Sequence, residues 1–77
     1  MTNVKVFSTP SCPYCHKLKD FLKENNIPFT DYDVSRNRDA AMEMIRRSGQ
    51  RGVPVADIDG NIVVGFNQPL IEQLLKI

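Results

Sequence analysis

The chain has 77 residues, 42% of them apolar and 25% charged, with 10 Lys and Arg against 9 Asp and Glu. That length holds one core, so a single domain over residues 1–77 is expected, with any activity in a compact site on one fold. The composition is that of an ordinary globular protein. The scattered charges form no basic face of the kind nucleic-acid binding needs, and no apolar run reaches the length of a membrane span. The start, Met1-Thr2-Asn3-Val4-Lys5, has no apolar stretch followed by a small-residue cleavage site. Neither nucleic acid nor membrane is therefore expected as a partner, and the expected location is cytoplasmic.

Val4, Val6 and Phe7 form a β-prone run that stops at the turn-rich Ser8-Thr9-Pro10-Ser11, which predicts a first strand. A helix follows from Pro13 to about Asn25: Leu18, Phe21 and Leu22 recur at helical spacing, and Pro13 suits the first helical position. Phe29 to Val34 alternates aromatic or apolar residues with Asp and Thr, as a half-buried second strand does. A second helix is expected from Arg38 to about Ser48, with Ala41, Met44, Ile45 and Ser48 on one face and Gly49 as its stop. Val53 to Ile58 and Ile62 to Val64 are two further strands, joined by the hairpin signal Asp59-Gly60. Asn67-Gln68-Pro69 opens a last helix striped by Leu70, Ile71, Leu74 and Leu75. The order β-α-β-α-β-β-α implies an α/β fold, a four-stranded mixed sheet with helices on both faces. The helical stripes read as core and nothing else.

Cys12 and Cys15 lie three apart, so a helix beginning between them brings both side chains to the same end and face. Cys12 falls just before or at the helix N-terminus, where free backbone N–H groups and the positive end of the dipole favour a thiolate, the nucleophilic form. Cys15, one turn inside, is better shielded and is placed to attack a mixed disulfide at Cys12 and release a reduced substrate. His16, Lys17 and Lys19 add chargeable groups nearby; any that face Cys12 help to hold negative charge. The ordinary fate of such side chains on a surface helix is solvation, with proton transfer to Cys15 a further role open to His16.

In a reducing compartment a cysteine pair is usually transient and catalytic or redox-sensing rather than a staple. A closed zinc site wants four ligands, and two cysteines with one histidine would have to borrow the rest from another chain. A metal or iron–sulfur centre shared across a dimer therefore stands as the alternative. A cytosolic Cys-x-x-Cys beside a βαβ pattern reads as a thioredoxin-like redox motif. The leading expectation is a thiol–disulfide oxidoreductase working through a Cys12/Cys15 dithiol, with no metal and no bound cofactor. Gly52-Val53-Pro54 then introduces a strand that is central in this sheet, where proline is normally excluded because it cannot donate to the ladder. Pro54 must open that strand or sit at a special turn. Val53–Pro54 is a candidate cis peptide beside Cys12, cis being the minority state among X–Pro bonds.

With these parts in place, the chain resembles the glutaredoxin family of the thioredoxin superfamily over nearly its whole length. Cys12-Pro13-Tyr14-Cys15 is the family's dithiol motif, and Gly49-Gln50-Arg51-Gly52-Val53-Pro54 is similar to its cis-proline segment. Asp59-Gly60 matches its hairpin, and Gly65-Phe66 falls where a glutathione-binding Gly-Gly pair usually lies. The resemblance implies a thioredoxin fold with three helices, Cys12 as attacking thiol and Cys15 as resolving thiol. It implies that Val53 and Pro54 align the substrate disulfide, that Arg51 meets a substrate carboxylate, and that Pro13, Tyr14, Gly65 and Phe66 complete the substrate-binding positions. Implied partners are a disulfide-containing protein substrate and an electron source, either glutathione or thioredoxin reductase with NADPH; a monomer is expected.

Three departures bear on the electron source. Thr9 stands where many glutaredoxins have Lys, Gly52 replaces the common Thr, and Phe66 replaces the second Gly. Each weakens a glutathione site, and the Gly-Phe pair looks like that of the NrdH-redoxins, which take electrons from thioredoxin reductase. Gln50-Arg51-Gly52-Val53-Pro54-Val55 and Val63-Val64-Gly65-Phe66 are most similar to a YruB-type glutaredoxin-like subgroup. By resemblance, Pro13 argues against a cluster-binding role.

Overall fold

The computed structural model describes residues 3–77; Met1 and Thr2, part of the segment read above for a leader, lie outside the described residues. The elements are β1 (Val4–Ser8), α1 (Pro13–Glu24), β2 (Thr30–Asp33), α2 (Arg38–Ser48), β3 (Val55–Ile58), β4 (Asn61–Val64) and α3 (Gln68–Leu75). They make one four-stranded sheet in the order β2-β1-β3-β4. β1 runs parallel to β2 and antiparallel to β3, and β3 pairs antiparallel with β4, so the sheet is mixed as expected.

Alternation along the strands divides the core in two. Val4, Val6, Ala56, Ile58 and Val63 point to the face covered by Leu18 and Leu22 of α1 and Ile71 of α3. Phe7 and Val55 point to the other, where Ala40 and Met44 of α2 pack on them. Burying a side chain of Leu or Phe size contributes about 1.5–3 kcal/mol, so these two clusters hold the helices against the sheet. No helix among the described residues is long and apolar enough to cross a membrane.

Two strands are shorter than the sequence expectation, and one helix face is shifted. β3 opens at Val55 rather than Val53, because Pro54 has no N–H to give the ladder. β2 is shorter than Phe29–Val34: the ring of Phe29 packs against the core from outside the ladder. On α2 the most buried residues are Ala40 and Met44, an i, i+4 pair, with Ala41, Ile45 and Ser48 half-buried on the flank. The stripe is rotated by one residue from the face read in the sequence. α2 is capped by Asn37, which the sequence reading did not single out and whose side chain accepts the Ala40 N–H at 3.0 Å; the other end signals act as expected, Gly49 ending α2 in the left-handed conformation and Asp59 and Gly60 both having positive φ, 51° and 91°, which suits a two-residue hairpin turn.

One charge is buried on the α2 side of the sheet. Asp57 of β3 is paired with Arg47 of α2 and accepts the Gly60 N–H at 2.8 Å. Truncating the guanidinium leaves a carboxylate in the interior with one donor removed. Arg47→Ala is therefore expected to lower unfolding free energy by about 1–3 kcal/mol, measured by urea denaturation, with the redox chemistry of the folded protein unaltered.

Candidate active site

α1 begins on a cysteine. Cys12 is the N-cap, with extended backbone (φ −95°, ψ 112°) and Pro13 following at the first helical position. Caps are usually Ser, Thr, Asp or Asn, whose oxygen accepts a free N–H of the first turn. Here the Cys12 sulfur takes that place and accepts the Cys15 N–H at 3.2 Å. The Cys12 N–H donates in turn to the Thr9 carbonyl at 3.4 Å, tying the cap to the loop after β1.

The loop before β3 closes over this end of the helix. Cys12 Sγ lies 3.9 Å from the Val53 carbonyl oxygen, and the Val53–Pro54 bond is cis. Gly65, with φ 79°, donates its N–H to the Pro54 carbonyl at 2.8 Å and so links the end of β4 to the same loop. Gly52 has a local reason as well. The Gln50 amide folds back on the loop, its Oε1 accepting the Gly52 N–H and its Nε2 donating to the Gly52 carbonyl at 3.0 Å. A Cβ at position 52 would fall 2.8 Å from Gln50 Oε1 and displace that clamp.

The two thiols have different surroundings. Both are free; Cys12 is half-buried and Cys15 is 0% exposed. Burial pushes the Cys15 thiol up to about 11, and the hydrogen bond with Cys12 and its charge add to the rise, while Lys19 and a hydrogen bond from the Thr9 backbone pull the other way. A half-buried N-cap thiol beside a fully buried one is the arrangement that a capture-then-resolve sequence requires.

The remaining predicted residues spread around this pair. Pro13 and Tyr14 are exposed, Tyr14 at 60%, with the Lys17 ammonium 5.0 Å from the centre of its ring. Arg51 is exposed on the loop before Val53. The Phe66 ring packs on Phe21 of α1, ring centres 5.8 Å apart. With Lys17, Asp20, Phe21, Glu24 and Gln68 it lines an open pocket of about 330 Å³. His16 is exposed and its Nε2 lies 2.8 Å from the Pro10 carbonyl, so it serves the loop rather than a sulfur. Among the described residues no three His, Cys, Asp or Glu side chains are grouped to hold a metal ion.

One group escaped the sequence reading. Ser8, at the end of β1 and 2% exposed, donates to Asp31 of β2 at 2.7 Å, and Lys19 bridges both. The available signals were the i, i+4 spacing of Cys15 and Lys19 and a polar residue ending an apolar strand. Neither reveals the contact with β2.

A cysteine pair at a helix N-terminus, faced by a cis-proline loop on a mixed sheet of order β2-β1-β3-β4, defines a thioredoxin-fold thiol protein. The chain belongs to the glutaredoxin family, whose model matches residues 4–63. It is 48% identical over 73 residues to the glutaredoxin-like 8.6 kDa protein of the rubredoxin operon of Clostridium pasteurianum, covering 95% of this chain and 97% of that one. It is 35% identical over 75 residues to N-acetyl-S-hydroxy-L-cysteine reductase of Bacillus subtilis strain 168, covering 96% and 81%. Among solved structures, a mutant of the thioredoxin-like protein BC3987 superposes with a TM-score of 0.92 at 34% identity, covering 96% and 95%.

The contrast between the thiols sets an expected outcome. In the reduced protein, iodoacetamide should modify Cys12 at least about tenfold faster than Cys15, since only thiolate reacts. Because Cys15 titrates near 11, its alkylation should rise about tenfold per pH unit through the neutral range with no plateau below about pH 9. Mass mapping of quenched samples checks both statements, and faster modification of Cys15 would reverse the assignment.

Proposed function

We propose that this protein is a monomeric, cytoplasmic dithiol reductase of disulfides, with Cys12 as attacking and Cys15 as resolving thiol. The observation that carries the reading is the pairing of a half-buried N-cap sulfur at the Val53–Pro54 loop with a fully buried thiol one turn below it. The Cys12 thiolate attacks one sulfur of a substrate disulfide; a Cys12–substrate bond forms, the substrate's own S–S bond breaks, and its second sulfur leaves with the electron pair and takes a proton. Cys15, deprotonated, then attacks Cys12. The remaining substrate thiol leaves, and the protein is oxidised by two electrons to the Cys12–Cys15 disulfide. Val53 and Pro54 align the incoming disulfide, while Pro13, Tyr14, Arg51, Gly65 and Phe66 border it.

The electron source that fits best is a thioredoxin reductase rather than glutathione. Thr9 supplies no cation, and around the Phe66 pocket Asp20 and Glu24 outnumber Lys17, so its charge balance disfavours an anionic tripeptide. Phe66, where a glutathione site usually has its second glycine, adds the bulk of a ring packed on Phe21 to this missing and opposing charge. Loss of one charge-assisted hydrogen bond costs about 1.5–3 kcal/mol, roughly ten- to a hundredfold in affinity. The Bacillus relative supports a second substrate reading, a small S-hydroxylated thiol. Attack on its sulfur would expel hydroxide, which leaves as water, and give the same mixed disulfide for Cys15 to resolve.

Cys12→Ser is expected to abolish reduction, and Cys15→Ser to accumulate a mixed disulfide with the substrate, read by intact mass. NADPH consumption should be faster with thioredoxin reductase than with millimolar glutathione and glutathione reductase, and Phe66→Gly should improve use of glutathione. Rapid turnover of the wild type on glutathione, unchanged by Phe66→Gly, would contradict the proposed donor. Protein disulfides and N-acetyl-S-hydroxy-L-cysteine offered side by side decide between the substrate classes.

A further inference from the structure

We propose that Lys19, fixed by Asp31 and Ser8, is the positioning residue of the second half-reaction, its ammonium charge making the buried Cys15 sulfur reactive toward the mixed disulfide at Cys12. The inference rests on the dithiol reading above and adds to it the group that governs the resolving step.

A lysine on a surface helix normally extends its ammonium into water. Lys19 does not. Its side chain is 16% exposed, with Nζ 3.0 Å from Asp31 Oδ2 and 3.5 Å from Ser8 Oγ. Ser8 is buried at the end of β1 and donates to the other oxygen of Asp31 at 2.7 Å, so both strands hold the ammonium in place. Lys19 follows Cys15 by four residues, which makes the two neighbours along one helix face.

Charge on Cys12 opposes the Cys15 thiolate, while the Thr9 backbone hydrogen bond and the Lys19 charge favour it; Asp31, which holds Lys19, offsets part of that cation. His16 is turned to the Pro10 carbonyl, and Asp57 of β3 is paired with Arg47 on the α2 side of the sheet. Once Cys12 is in a mixed disulfide it carries no charge and no proton. The Thr9 backbone hydrogen bond and the Lys19 charge then remain to offset the burial of Cys15, and of these Lys19 is the charged side chain. In the step itself Cys15 gives its proton to water, its sulfur forms a bond to Cys12 Sγ, and the Cys12–substrate bond breaks with the electron pair leaving on the substrate sulfur, which is then protonated by water.

The size of the effect follows from thiolate chemistry. Each unit by which Cys15 rises lowers its thiolate fraction about tenfold and raises its nucleophilicity roughly threefold, so the net slowing is about three- to fourfold per unit. Lys19→Gln should slow release of the second substrate thiol by about two- to fourfold near neutral pH and move the pH profile of release to higher pH. Lys19→Arg should restore most of both.

Stopped-flow measurement of capture, with Cys15→Ser as background, and of release, in the full dithiol protein, separates the steps. Capture is expected to proceed at the same rate in Cys15→Ser alone and in Cys15→Ser combined with Lys19→Gln. Wild-type release rates and an unshifted profile in Lys19→Gln would overturn the proposal, as would Lys19→Arg being as slow as Lys19→Gln. If Cys15→Ser fails to trap a mixed disulfide, the dithiol reading falls and this inference with it. If it traps and Lys19→Gln resolves normally, only the role of Lys19 falls.

Discussion

The hydrogen bond from the Cys15 backbone N–H to the Cys12 sulfur joins helix formation to chemistry. The first turn of any helix leaves N–H groups without backbone partners, and a cap must satisfy some of them. Using a sulfur for this purpose fixes where the reactive atom sits: at the end of α1, at the mouth of the loop after β1, and beside the Val53 carbonyl. Pro13 has no N–H to satisfy at the next position and sets the φ that a first helical residue needs. Start of helix and start of site are therefore one set of atoms, and a shift of the helix by a residue would remove both.

From that fixed start the 3.6-residue period of the α-helix decides the rest. Cys15, Leu18 and Leu22 fall on the inner face and are fully buried, so the second thiol is inert in the resting protein for the same reason that α1 is held to the sheet. Tyr14 and Lys17 fall on the outer face and stay exposed. Packing and reactivity are coupled here. The surroundings that stabilise α1 raise Cys15, and a compensating cation, Lys19, is held by polar groups of both strands, Ser8 at the end of β1 and Asp31 near the start of β2.

Backbone punctuation made most of this legible along the chain. Pro13, Gly49, Asp59-Gly60 and Asn67 each act within a few residues of themselves, so element order, hairpin and helix ends could be read from the sequence. Pro54 was legible because a proline cannot sit inside a central ladder. What stayed hidden depends on contacts between distant segments. Lys19 looks like any solvated helix lysine until β2 brings Asp31 to it, 12 residues away in sequence. Phe66 shows no partner in the sequence until packing brings its ring against Phe21 of α1. A rotamer chosen by tertiary packing has no local signature, so the direction of these side chains could not be read.

The two faces of the sheet carry different loads, joined at one place. α1 and α3 cover the face that bears the thiols, while α2 covers the other and holds the buried Arg47–Asp57 pair. The last turn of α2 nevertheless reaches the site. Ser48 Oγ donates to the Met44 carbonyl at 2.6 Å and lies 3.0 Å from the Gln50 carbonyl, and Gln50 clamps Gly52 immediately before Val53. The position of the Val53 carbonyl opposite Cys12 is thus inherited from the way α2 ends. Gly52 is part of that device, since a Cβ there would contest the space of the Gln50 amide. The loop is thus supported from within, a side chain of the preceding turn bracing its backbone.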